Sequence, residues 1–128
     1  MLNLPPCETH IFQFHPNGIP EEYAEIRVPI FENVPYWRVD TVAKALGYSD
    51  PDDFAAPADD ELYQLIEVRG GNAQSFQVIT EKGLFQALGK SDSPLANHFK
   101  VWTKTKVVPK LHRRLGMAQK VTVTKEKD

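Results

Sequence analysis

Ala24-Glu25-Ile26-Arg27-Val28-Pro29-Ile30-Phe31-Glu32-Asn33-Val34-Pro35-Tyr36-Trp37-Arg38-Val39-Asp40-Thr41-Val42-Ala43-Lys44-Ala45-Leu46-Gly47 carries two strand signals and then a helix signal. Ile26, Val28 and Ile30 alternate with Glu25, Arg27 and Pro29, the period-two pattern of a half-buried strand. Pro29 withholds a ladder donor, which points to an edge position or a bulge. Glu32-Asn33 makes the turn, and residues 35–39 return as a second strand in which one of Tyr36 and Trp37 faces the core. Asp40 is then the expected N-cap of a helix over residues 41–46, with Gly47 as its stop.

Working outward, residues 62–69 and 75–79 are strand-like runs separated by Gly70-Gly71-Asn72, a strong hairpin signal. Thr80 is the expected cap of a helix whose apolar face is Leu84, Phe85 and Leu88, with Gly89 closing it. Next, Ser93 and Pro94 fit the N-cap and first position of a further helix. Leu95, Phe99 and Trp102 fall on one face of it, so Trp102 reads as core rather than as a base-stacking platform. Pro109 forbids a smooth continuation, and Lys106 falls back into the apolar stripe. This order of elements predicts an α+β domain: a small antiparallel sheet with β-hairpins, packed against several short helices and a basic C-terminal helix pair. Residues 1–22 read as a Pro-rich extension able to add an edge strand, residues 23–116 as the domain, and residues 117–128 as a charged tail with one short strand.

The 128 residues suffice for one domain with a real core, and the net charge of −2 conceals an asymmetry. Residues 1–81 hold 4 basic and 14 acidic groups, a balance of −10, whereas residues 82–128 hold 11 and 3, a balance of +8. Such a split suggests a dipolar surface and a polyanionic partner for the basic end, unless the two halves interleave in space and neutralise each other. No run approaches the ~18 apolar residues of a membrane span, and the N-terminus lacks the regions of a secretory signal. The single cysteine, Cys7, fits a reducing cytoplasm.

Little in the chain reads as chemistry. Cys7, His10 and His15 do not complete a metal site, because a strand would point the two histidines to opposite faces and no second cluster supplies the remaining ligands. Asp50, Asp52 and Asp53 stand without a paired histidine or a phosphate loop, so neither an enzyme nor a cofactor is expected. The run Val42 to Ser49 has the form of the first helix and turn of a helix-turn-helix, whose next helix enters the major groove, or of a plain packing helix with a glycine stop. The next stretch is acidic, with Asp52, Asp53, Asp59, Asp60 and Glu61, and phosphates repel it.

Three blocks, taken together, resemble the Bro-N domain, the N-terminal domain of baculovirus-repeated-ORF proteins and of many phage antirepressors. The first is Ile26-Arg27-Val28 with the run from Pro35 to Pro51. The second is Gly70-Gly71 with the run from Val78 to Phe85. The third is Pro94, Ala96, Phe99-Lys100, Trp102 and the run from Val107 to Leu111. The chain departs from the family pattern in its acidic residues after Ser49, and in Val101 and Lys106 where the family usually reads Arg and Glu.

The resemblance implies a nucleic-acid-binding regulatory module of viral or prophage type, with no catalytic centre, acting in the cytoplasm of a bacterial host. The residues expected to meet the DNA backbone are Lys100, Lys104, Lys110, Arg113 and Arg114, supported by Lys44 and Lys90. A solvated face is the plain alternative for such a charge run. The other functional reading is an antirepressor-like interaction module. It would bind a repressor or another host protein through Asp52, Asp53, Asp59, Asp60 and Glu61, and a homodimer fits either reading.

Overall fold

The computed structural model describes residues 8–115. Cys7, the end at Gly116 and the C-terminal strand expected from the sequence therefore lie outside the described residues. Five strands form an antiparallel sheet in the order β1-β2-β3-β5-β4, where β1 is Glu8–Phe14, β2 Ala24–Phe31, β3 Val34–Arg38, β4 Leu62–Arg69 and β5 Asn72–Thr80. The helices are α1 (Val39–Ala45), α2 (Pro51–Ala55), α3 (Glu81–Lys90), α4 (Ala96–Trp102) and α5 (Val108–Leu115). A 3₁₀ segment, Ala56–Glu61, continues α2, and a π-helical turn, Thr103–Val107, joins α4 to α5. The architecture is α+β, as the patterning indicates.

Both hairpins close through two-residue turns with both central residues at positive φ, Glu32 and Asn33 at 52° and 66°, and Gly70 and Gly71 at 54° and 85°. This is the type I′ twist that matches flanking strands. Ile26, Val28 and Ile30 are buried as the period-two reading requires, and Trp37 is fully buried while Tyr36 stays half-exposed against Tyr63. The core joins these strands to Val39, Val42 and Leu46 from the first helical region, Phe54 from α2, Leu84 and Leu88 from α3, and Phe99, Val107 and Leu111 from the last helical run.

Several expectations shift. β2 is an interior strand, and Pro29 is tolerated because the β2/β3 ladder consists of Ile30–Pro35 and Phe31–Val34 and stops beside it. Asp40 does not cap α1: Arg38 occupies the N-cap and takes Asp40 as an ion-pair partner at 2.7 Å. Thr41 fastens the helix start instead, donating to the Arg38 carbonyl and accepting from the Arg27 N–H of β2. Gly47 does stop α1 at φ 90°, with Tyr48 N–H reaching the Ala43 carbonyl and Gly47 N–H the Lys44 carbonyl, the Schellman arrangement. Thr80 caps α3 by accepting from Gly83 N–H at 3.0 Å, but the helix passes Gly89 and ends at Lys90, with Ser91 as its C-cap.

The edge strand suggested upstream exists as β1, paired with β2 along its whole length from Glu8–Ile30 to Phe14–Ala24. Its last residue, Phe14, is among the largest fully buried side chains.

Candidate nucleic-acid interface

The basic residues ride on the helical run from α4 through the π turn to α5, and hydrogen bonds fix its start. Ser93 Oγ accepts from Leu95 N–H and donates to the Leu46 carbonyl at 2.6 Å, while Tyr48 hydroxyl and Ser91 Oγ bond at 2.6 Å. Ser93 thus caps the turn leading into α4 and ties it to the end of α1. An aromatic cluster anchors the middle, with Phe14 within 5.0–5.1 Å of the rings of His98, Phe99 and Trp102. Trp102 is half-buried there, so its ring is committed to packing.

Pro109 does not break the run. Val108 keeps helical angles (φ −59°, ψ −45°) and its N–H bonds the Thr103 carbonyl five residues back, the π-helical pattern. The turn inserts one residue, which carries the buried stripe through Phe99, Thr103, Val107 and Leu111 at intervals of four. A regular helix would have sent Lys106 into that stripe, whereas the inserted residue leaves Lys106 exposed and buries Val107. Lys106 therefore joins the cationic surface. A residue excluded by α-helical spacing is recoverable only by suspecting that the proline is absorbed by a wide turn.

The predicted cations have different fates. Lys110 and Arg113 are exposed, Lys100 is half-exposed, and none of the three has a charged or hydrogen-bonding partner among the described residues. Lys104 lies with its ammonium 5.5 Å from the centre of the Phe85 ring. Arg114 donates to Glu8 at 2.7 Å, which pins the end of α5 to the start of β1. Burial pushes the Glu8 carboxyl upward, but the hydrogen bond from His10 and the charge of Arg114 outweigh it and hold the group below its ordinary value. His112 reaches Glu81 at the head of α3, at 3.3 Å. Lys44 and Lys90 are exposed near the ends of α1 and α3, the region that the Ser91 and Ser93 bonds draw together.

The acidic residues gather elsewhere. Asp52 and Asp53 project from α2 and Asp59 and Asp60 from the 3₁₀ segment, all exposed and without a basic partner among the described residues. Glu61 is drawn inward, where its carboxylate accepts a hydrogen bond from the Thr80 hydroxyl. α2 is a five-residue helix with two exposed aspartates in its first turn, which makes the packing-helix reading fit this segment better than a groove-reading helix.

α3 stands between the two charge groups. On one side Gly83 meets Glu61 and Gln86 donates to the Pro57 carbonyl at 2.8 Å; on the other, Glu81 and Phe85 face His112 and Lys104. Residues 83 and 86 fall on the helix face opposite 81 and 85, so this separation follows from the helical period itself. An open cleft of about 980 Å³ is lined by Lys44, Arg27 and Arg38 together with Glu21, Glu22, Glu25 and Asp40. Its two arginines are already paired with Glu25 and Asp40, so it is not a uniformly charged site.

No curated protein and no solved structure matches the chain. The profile of the BRO family, N-terminal domain, matches residues 25–109, from β2 to the first turn of α5. The chain thus belongs to the BRO family, whose N-terminal domain it carries.

Proposed function

We propose that this chain is a DNA-binding regulatory module of the viral and prophage antirepressor type. In this reading the helical run meets the phosphate backbone through Lys100, Lys104, Lys110 and Arg113, with Lys106 beside them. Lys44 and Lys90 extend the same contact, and Arg114 contributes less because Glu8 already holds it. The observation that supports the reading is the set of unpaired cations on α4 and α5, with α3 between them and the unpaired aspartates. Family membership adds a regulatory context, and no catalytic step is assigned. Lysines meet phosphates as point charges, so the contact is largely insensitive to sequence.

A fluorescence-anisotropy titration on a random duplex tests this. Neutralising about four phosphates gives a slope of log affinity against log salt near −3.6. The pair Lys110→Glu and Arg113→Glu reduces that slope by about 2 in magnitude. Salt-independent binding, or a slope unchanged by the pair, defeats the reading.

A second reading has an observation of its own. The exposed Asp52, Asp53, Asp59 and Asp60 offer an acidic surface to a basic protein such as a repressor. Replacing the four with asparagine abolishes capture of a purified basic partner under this reading and leaves DNA affinity in place.

A further inference from the structure

Glu8 is the first residue of β1, and its carboxylate meets the basic run at the end of α5. Its Oε2 oxygen accepts from Arg114 Nη2 at 2.7 Å and lies 2.9 Å from His10 Nε2, so two side chains share one oxygen. Lys110 and Arg113 on the same helix have no such partner among the described residues. The carboxylate is the fixed member of the pair. Glu8 is laddered to Ile30 of β2, and the far end of β1 is locked by the fully buried Phe14. The guanidinium is the freer member, on a long side chain in the last turn of α5 that is 55% exposed. Both residues lie outside 25–109, the part that the family profile matches, so family membership does not imply this pair.

We infer that Glu8 competes with DNA phosphate for Arg114, an autoinhibitory contact at the end of the basic run. This rests on the DNA-binding reading above and adds a regulatory element to it. Carboxylate and phosphate offer a guanidinium the same kind of acceptor, an anionic oxygen that takes charge-assisted hydrogen bonds. Arg114 engaged with Glu8 is therefore withheld from the backbone. An ion pair this exposed is weak, and a phosphate adds the release of condensed counterions, which Glu8 cannot supply. Glu8 thus lowers DNA affinity without blocking binding. His10 makes the exchange reversible, because Glu8 keeps that hydrogen bond when Arg114 swings away.

Fluorescence anisotropy of the full chain on a random duplex, repeated across a salt series, tests the competition. Glu8→Gln keeps the fold, as its thermal melt will show, since the side chain is 44% exposed. Its affinity rises about 2–5-fold, the equivalent of an exposed ion pair. The slope of log affinity against log salt steepens by about 0.9, one further phosphate. In an Arg114→Gln background, Glu8→Gln leaves the slope as it was. Asp53→Asn removes the same charge from α2 and also leaves the slope as it was. The inference is overturned by a slope indifferent to Glu8→Gln, by steepening that persists without Arg114, or by equal steepening in Asp53→Asn. A slope that responds to Lys110→Glu with Arg113→Glu but not to Glu8→Gln defeats the competition alone. A chain that binds no DNA with either residue at position 8 defeats the DNA-binding reading along with it.

Discussion

Gly83 is the position where a single added carbon does most harm. A Cβ there overlaps the Glu61 side chain and comes within 2.8 Å of Ile79 Cγ1, because the first turn of α3 is pressed against the 3₁₀ segment and the sheet at once. Gly83→Ala should cost about 1–3 kcal/mol, despite the better helix propensity of alanine, and the loss is read from the urea-unfolding midpoint. The opposite sign is expected at Thr103. Its hydroxyl is buried in the π turn without a hydrogen-bond partner among the described residues, so its desolvation is uncompensated there. Thr103→Val removes that polar atom at nearly constant shape and should raise the midpoint by up to about 1 kcal/mol equivalent. Thr80 supplies two bonds with one hydroxyl, accepting from Gly83 N–H and donating to Glu61.

Among the elements, the run from α4 to α5 shows best what sequence spacing conveys and what it omits. The hairpins, the Thr80 cap and the Gly47 stop are legible because each rests on local chemistry: positive φ in a two-residue turn, or one side chain reaching one backbone group. Asp40 misleads because two groups compete for it, and the Arg38 guanidinium wins over the helix N-terminus. Pro109 misleads because the preference against helical residues before proline is a bias and not a bar, and Val108 stands in helical conformation. The π turn places the Val108 bond five residues back and lets the helix pass. The charged residues of the candidate interface are legible as types, but their pairing is not. Arg114 meets Glu8 across more than a hundred residues of chain, a contact that the sheet order creates. A coupled deletion tests the role of the π turn at the proline. Deleting Thr105 alone should restore α-helical register and force the Pro109 ring against the carbonyl four residues back, costing about 3 kcal/mol or more. Combining the deletion with Pro109→Ala should recover most of that loss, as measured by unfolding midpoints of the two variants.

At the scale of the whole molecule, the basic run and the described acidic groups meet at few points. Among the described residues two ion pairs, Arg114–Glu8 and His112–Glu81, cross between the basic run and acidic residues of the first half. The aspartates of α2 and the 3₁₀ segment remain on the far side of α3. On the proposed DNA-binding reading, such a layout turns the basic run towards the polyanion before any specific contact forms. The same layout makes β1 a separable part. It precedes the residues matched by the family profile, reaches the sheet before the intervening residues 15–23, and closes the fold with Phe14 among Phe99 and Trp102. A chain trimmed to residues 24–128 should keep its other strand pairings but present an open aromatic slot and lose about 3–5 kcal/mol, the cost of removing a buried phenylalanine. A synthetic peptide of residues 8–23 should refill that slot and restore the melting temperature, whereas the same peptide with Phe14→Ala should not. That outcome would make the N-terminal strand a detachable key, dividing the protein into two fragments whose reunion is switched by one aromatic ring.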